Sequence, residues 1–349
     1  MPTASSPPNE SSAAPRIQDA HKPQVSIALA TWNAGDYLPA QMDSLLAQTN
    51  CDIEIVVADD GSDDGTYALL QTYSERDSRI RLLPQSQRLG FNRNFMRCFN
   101  ACRGQLISPC DQDDVWSPDK TEKLMAACVG GGLASCDSRF IDADGAPPHS
   151  GPLRISETRR VGDDPPLLGL LQANAIPGHA LMFPASLLDS LSAVPAASFF
   201  DWWLVVVARA QELPLRYVAE PLVAYRRHAR AATAKTASTP RTQSKMGLLR
   251  ARYATAHALA HSPLSEREPL AREYLRMFEA WLQGRLPLTA FIFFWRHRKA
   301  VFWSTSQHQW PAIAALKYAV GYRLRHTLRP HRHPRLHAIA RGELQFDPQ

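Results

Sequence analysis

The chain has 349 residues, is 45% hydrophobic and 21% charged, and carries a formal net charge of +6. That length and apolar content can bury a sizeable core, which sets aside a disordered chain and points to one large domain or two modest ones. The basic excess is concentrated late in the sequence, so charge bears on one region rather than on the whole surface.

Residues 1–23 are rich in Pro, Ser and Ala and lack an apolar h-region, so they read as a disordered lead rather than a secretory signal. No apolar run reaches the ~18–20 residues that a membrane-spanning helix needs. The six cysteines (Cys51, Cys98, Cys102, Cys110, Cys128, Cys136) are scattered without metal-type pairs. They read as reduced thiols and a cytoplasmic setting.

Val25–Ala30 is a β-rich run and reads as a first strand buried on both faces. Thr31-Trp32-Asn33-Ala34-Gly35-Asp36 follows as a loop, then Leu38, Met42, Leu45 and Leu46 fall at helical spacing. Ile53–Ala58 is a second strand ending in the acidic, glycine-bearing loop Asp59–Thr66, with a helix from about Tyr67 to Tyr73. Ile80–Leu83 is a short strand, Phe91–Ala101 a helix and Gln105–Cys110 a further strand. Strands alternating with helices predict a doubly wound, largely parallel sheet. The Asp59–Thr66 loop lacks the G-x-G-x-x-G and G-x-x-x-x-G-K-[ST] patterns, which disfavours a Rossmann dehydrogenase or a P-loop enzyme.

Three carboxylates then fall within four residues, Asp111-Gln112-Asp113-Asp114, followed by Val115-Trp116. At the carboxyl end of a strand they would sit where open α/β sheets bind ligands. Packed carboxylates stay ionised only where a cation or hydrogen-bond donors hold them. A divalent metal that also touches a diphosphate is one solution; an acidic turn leading into a helix N-terminus is the other. Asp142 and Asp144 read as solvated turn acids, and Leu167–Gln172 as a short helix.

The order of these motifs resembles glycosyltransferase family 2, and within it bacterial rhamnosyltransferase-like members. The residues that carry the resemblance are Val25–Asn33 with Tyr37-Leu38, Ile55–Thr66, Leu89–Phe95, Asp111–Trp116, Asn174–His179, Asp201–Leu204 and Tyr225–His228. It implies a GT-A fold: a doubly wound, largely parallel nucleotide-diphospho-sugar-binding sheet over residues 24–235. It also implies roles. Thr31, Trp32 and Asn33 would line the donor nucleotide, with the Trp32 ring on the base. Asp60, with Asp59 nearby, would accept the pyrimidine N–H. Asn94 and Asp111 would complete the nucleotide site. Asp113 and Asp114 would hold a divalent cation (Mg²⁺ or Mn²⁺), Asp113 being the first choice. Asp201 would be the general base that activates the acceptor hydroxyl in an inverting transfer. Gly178, His179, Trp202, Trp203, Arg226 and His228 would face acceptor or diphosphate, with a core position for at least one of the two tryptophans and a structural role for His179 as the alternatives. Related enzymes often continue with an Asn-containing turn after this histidine; Ala229-Arg230-Ala231 departs from that.

Residues 236–245 read as a linker or mobile loop, and 246–349 as a helical, basic region. Phe291–Trp295 beside Arg296-His297-Arg298-Lys299 suits a helix at an anionic membrane surface, and equally a helical subdomain packed on the core. The expected partners are a nucleotide-sugar donor, dTDP-L-rhamnose on the subfamily resemblance, and a saccharide acceptor, lipid-linked at the inner face of the cytoplasmic membrane; no nucleic acid is expected. Hexosyl transfer from a UDP-sugar and a non-catalytic binding module on the same fold are the competing readings.

Overall fold

The computed structural model describes residues 22–49, 52–191, 194–229, 241–266, 269–282 and 288–304. Almost all of the expected lead, the start of the expected linker and the Arg- and His-rich stretch beyond 304 lie outside the described residues.

Among the described residues eight strands form one sheet in the order β3-β2-β1-β4-β7-β6-β8-β5. The first half is parallel and follows the alternation in the sequence. β1 (Val25–Thr31) lies between β2 (Ile53–Asp59) and β4 (Leu106–Cys110), and β3 (Ile80–Leu82) extends β2. Every residue of β2 is buried, as expected of a strand covered by helices on both faces. β7 (Leu181–Pro184) runs antiparallel to both β4 and β6 (Leu133–Ile141) and so joins the two halves. β8 (Leu215–Arg226) is parallel to β6 and ends beside β5 (Val115–Trp116), the two-residue strand that follows the acidic motif. Pro221 sits in β8 where the register with β6 shifts around Asp137; proline lacks the N–H that a regular ladder would require.

Helices cover both faces. On one side α1 (Leu38–Leu46), α2 (Thr66–Arg76) and α4 (Lys120–Ala127) pack on Ile27, Leu29, Ile55 and Val57. On the other, α3 (Phe91–Ala101), α5 (Leu167–Gln172) and α6 (Phe200–Ala210) share one cluster with Ala28, Val56 and Phe183.

The C-terminal helices Arg241–Ala260, Pro269–Leu282 and Leu288–Arg296 join that second cluster through Ala256, Leu259, Tyr274, Phe278, Phe293 and Phe294. Tyr274 also donates its hydroxyl to Gln172 Oε1 at 2.7 Å. Of the two readings of this region, packing on the core is realised over its described part. The first of these helices starts at Arg241, inside the segment expected to be a linker. No helix among the described residues is long and apolar enough to cross a membrane.

Candidate active site

The loops at the carboxyl ends of β1, β2 and β4 converge, and their polar side chains tie them to one another. Asp59, the last residue of β2, accepts from Thr31 Oγ1 at 2.9 Å and from Ser62 Oγ at 2.6 Å. Asn33 adopts a left-handed conformation (φ 46°), which Asn tolerates. Its amide and Asp63 exchange hydrogen bonds at 2.8 and 3.0 Å. Gln112 grips the loop from the acidic motif, bonding both backbone groups of Trp32. Arg88 lies over the Trp32 ring, 3.3 Å from its centroid, so a base stacking on that face has to displace it.

Asp60 is buried and accepts from the backbone N–H groups of Leu89 and Gly90 at 2.6 and 2.9 Å. Its carboxylate therefore shapes the entry to α3. Asn94 is also buried, and its amide donates to the Ala58 carbonyl at 2.7 Å, pinning α3 to β2.

The acidic motif splits in two. Asp111 and Asp114 turn toward His179, whose Nδ1 lies 3.7 and 3.9 Å from their Oδ2 atoms. One ligand atom from each of the three falls within 4.8 Å of the others. Asp113 turns the other way and meets His228 Nε2 at 2.7 Å, with the Tyr37 ring against the imidazole. Asp114 has no exposed surface; its Oδ1 accepts the Arg226 N–H at 3.0 Å, and its Oδ2 has no hydrogen-bond partner. Burial, then the charges of Asp113 and Asp111, push the Asp114 carboxyl well above its ordinary range. A buried carboxylate oxygen without a partner, beside a second carboxylate and an imidazole, fits a divalent cation such as Mg²⁺ or Mn²⁺. The first-choice metal ligand of the sequence, Asp113, stands outside that trio.

Behind the trio Lys120 is fully buried. Its Nζ donates to the His179 carbonyl at 2.8 Å and lies over the Trp116 ring. Burial pulls its ammonium down to about 8, while the negative groups around it, Asp114 and Asp111 included, work against that. On the far side of the imidazole, Ser138 Oγ and His179 Nε2 are hydrogen-bonded at 3.0 Å, and Tyr225 stacks on the ring at 4.6 Å.

Asp201 is the second residue of α6. Its oxygens accept from the Gly178 N–H at 3.0 Å and the Trp202 N–H at 2.8 Å, and the Asn174 side chain also bonds it. Burial pushes the carboxyl up; the three donors act against this, and the charge of Asp111 adds to the rise. Gly178 has to be glycine on steric grounds, since a Cβ there would come within 2.8 Å of the Phe200 ring. Asn92 clamps the entry to α6, donating to the Ser198 carbonyl at 2.8 Å and accepting the Phe200 N–H at 3.0 Å.

Three expectations need correction. Trp202 and Trp203 are each 1% exposed, so neither presents a face to a sugar; they face inward on an α6 buried nearly all round. Arg226 does not reach for a diphosphate. Its Nε donates to the Asp113 carbonyl at 2.8 Å and its Nη1 to the Asp142 and Ala143 carbonyls at 3.2 and 2.9 Å, strapping the turn after β6 to the acidic motif. Gln112, Asn92, Ser138 and Lys120 carried no expectation in the sequence, because an amide or an amine clamping distant backbone, or a hydroxyl on a distant imidazole, leaves no local pattern.

The α/β sheet, with its clustered acids at the carboxyl ends of the strands, has the GT-A type of fold. Two solved structures share it. S. aureus TarS (residues 1–349, in complex with UDP-GlcNAc) has a TM-score of 0.53 at 13% identity, covering 80% of this chain and 81% of that one. The mannosyltransferase PcManGT from Pyrobaculum calidifontis, in complex with GDP-Man and Mn²⁺, has a TM-score of 0.54 at 16% identity, covering 95% and 89%. Residues 26–182 match the model of Glycosyl transferase family 2. TuaG of Bacillus subtilis (strain 168), provisionally named a teichuronic acid biosynthesis glycosyltransferase, is 33% identical over 104 residues, 30% of this chain and 41% of that protein. Chondroitin synthase of Escherichia coli is 34% identical over 131 residues, 35% of this chain and 18% of that protein. The similarity thus spans less than half the length of these relatives.

Proposed function

We propose that the protein is an inverting glycosyltransferase that moves a sugar from a nucleotide-sugar donor to a saccharide acceptor in the synthesis of a bacterial cell-surface glycan. One observation carries this reading: Asp201, a carboxylate with a raised pKa, lies within electrostatic reach of Asp111, which belongs to the acidic cluster expected to hold the donor. A base beside a donor site is what transfer to a hydroxyl requires, and a binding module has no use for it.

In this reading Thr31, Trp32, Asn33, Asp59 and Asp60 frame the nucleotide. Asp111, Asp114 and His179 would hold the cation, which when bound supplies positive charge to the departing diphosphate. Asp201 takes the acceptor proton. Its raised pKa favours that step, and the Gly178 and Trp202 N–H groups fix the direction of its oxygens. A single carboxylate acting in direct displacement inverts the anomeric centre.

The donor is dTDP-L-rhamnose in the subfamily reading. A UDP-hexose is the second reading, favoured by the TarS complex with UDP-GlcNAc. The described C-terminal helices leave Ile292 and Trp295 exposed beside Arg298, whose guanidinium lies 5.0 Å from the Trp295 ring. An apolar pair flanked by cations supports contact with an anionic membrane surface and a lipid-linked acceptor.

The deciding experiment incubates the purified protein and Mn²⁺ with dTDP-rhamnose, UDP-glucose, UDP-GlcNAc or GDP-mannose and lipid-linked or synthetic saccharide acceptors. NMR of the product then reads the anomeric configuration. Transfer from one donor with inversion is expected; retention of configuration, or no transfer from any donor, overturns the proposal.

A further inference from the structure

The segment after β6 carries a cation that the donor site does not use. Ile155–Glu157 form a short turn pinned to the sheet by buried Asp137. Ser156 donates its N–H to Asp137 Oδ1 at 3.1 Å and its hydroxyl to Oδ2 at 2.6 Å. This held turn delivers Arg159, whose backbone N–H reaches back to the Ile155 carbonyl at 3.3 Å.

Arg159 Nη1 donates to the Asn174 carbonyl at 3.0 Å, and the side chain of the same Asn174 bonds Asp201. Arg159 and Asp201 therefore flank one residue. Asp201 is a negative group that acts on the guanidinium, and Tyr225, which stacks on His179 of the acidic trio, lies near it as a neutral phenol. Asp201 attracts Arg159 without forming a direct ion pair with it. Burial lowers the arginine's pKa, the mark of a cation partly stripped of water. Among the described residues no carboxylate forms an ion pair with this cation, and a bound anion would supply a counter-ion.

An acceptor hydroxyl must come to Asp201 to lose its proton. A substituent elsewhere on the same sugar then faces the other side of Asn174, where Arg159 stands. The guanidinium fork matches a carboxylate or a phosphate through paired hydrogen bonds, which an uncharged hydroxymethyl group cannot reproduce.

We propose that Arg159 is a specificity-determining residue that reads an anionic group, carboxylate or phosphate, on the acceptor saccharide, held against it by the Asp137-pinned turn and by Asn174. This rests on the reading of Asp201 as the base for glycosyl transfer.

The test is binding, which does not depend on turnover. The full chain, loaded with Mn²⁺ and UDP or dTDP, is titrated with p-nitrophenyl β-D-glucoside, its glucuronide and its 6-phosphate, followed by calorimetry. The wild type should bind at least one charged ligand about 10-fold or more tighter than the glucoside, and Arg159→Gln should erase that preference while leaving glucoside affinity unchanged. Which charged ligand wins distinguishes carboxylate from phosphate. Arg159→Lys should keep part of the preference, because it keeps the charge and loses the fork. Equal wild-type affinity for all three ligands overturns the proposal. So does a parallel loss for all three in Arg159→Gln, which would mean that Arg159 only serves Asp201. A fall in nucleotide affinity in Arg159→Gln also overturns it, assigning Arg159 to the donor diphosphate. An anion preference without transfer from any donor would leave Arg159 assigned and refute the transferase reading instead.

Discussion

Gln112 holds Trp32 by both of its backbone groups: the Trp32 N–H donates to Gln112 Oε1 at 2.7 Å, and Gln112 Nε2 donates to the Trp32 carbonyl at 3.1 Å. The second residue of the acidic motif thus sets the height of the loop expected to receive the nucleotide base. Two bonds of this kind contribute about 1–3 kcal/mol together. Gln112→Ala should therefore weaken UDP or dTDP binding by about 10-fold, read by calorimetry, with the acids of the motif intact. Unchanged affinity would show that the loop is held without Gln112.

Asp201→Asn should lower transfer by about 10²–10⁴-fold while nucleotide binding is kept. The pH dependence adds a signed check. Burial raises the Asp201 carboxyl above its ordinary value, and the base works only when ionised, so activity should rise with pH along an acid limb set by that raised pKa. The Asn174 side chain acts in the opposite direction by bonding the ionised form. Asn174→Ala removes that bond, so the acid limb should move to higher pH. A limb that stays in place, or moves down, assigns the limb to another group.

Asn92 acts on the same carboxylate from a distance. Its two bonds to Ser198 and Phe200 set where α6 begins, one residue before Asp201. Asn92→Ala should lower kcat by about 10-fold with little change in donor KM, because a misplaced base hurts the chemical step more than donor binding. An equal rise in donor KM would place the effect in α3 and the Asp60 contacts instead.

The sheet was legible because its first half obeys a simple period. Val25–Ala30, Ile53–Ala58 and Gln105–Cys110 are short apolar runs separated by helical spacing, and all three are central parallel strands. β8 is not legible as one strand in the sequence, because Pro221 interrupts an otherwise strand-like run and only the register shift opposite Asp137 accommodates it. In the site, the acids could be found by their density. Their division into Asp111 and Asp114 toward His179, and Asp113 toward His228, depends on side-chain directions that adjacency in sequence does not encode. Trp202 and Trp203 looked like sugar platforms because aromatic pairs serve equally in cores and binding faces, and only the packing of α6 decides between them.

That division makes a prediction about the cation. Chelation with EDTA should abolish transfer, and Mn²⁺ should restore it. With Asp111, Asp114 and His179 as ligands, His179→Ala should weaken Mn²⁺ binding by about 10-fold, measured by electron paramagnetic resonance of free Mn²⁺. Asp113→Asn should have the smaller effect, since its carboxylate is engaged by His228. The reverse order would move the cation to the Asp113–His228 pair.

The exposed pair on helix Leu288–Arg296 gives the last prediction. Ile292 and Trp295 are 52% and 41% exposed although Phe293 and Phe294 of the same helix are buried in the core cluster. The helix is thus anchored from inside and apolar on part of its outer side, with Arg296, Arg298 and Lys299 adjoining. A tryptophan beside cations suits the headgroup level of an anionic bilayer. Ile292→Ser with Trp295→Ser should cut binding to vesicles containing phosphatidylglycerol by about 10-fold or more, with thermal unfolding still a single cooperative transition. Raising the salt should weaken wild-type binding through the arginines, and the double variant, which keeps those cations, should show the same fractional salt dependence from a weaker starting affinity. Vesicle binding that the double substitution leaves unaltered would exclude this helix as the contact.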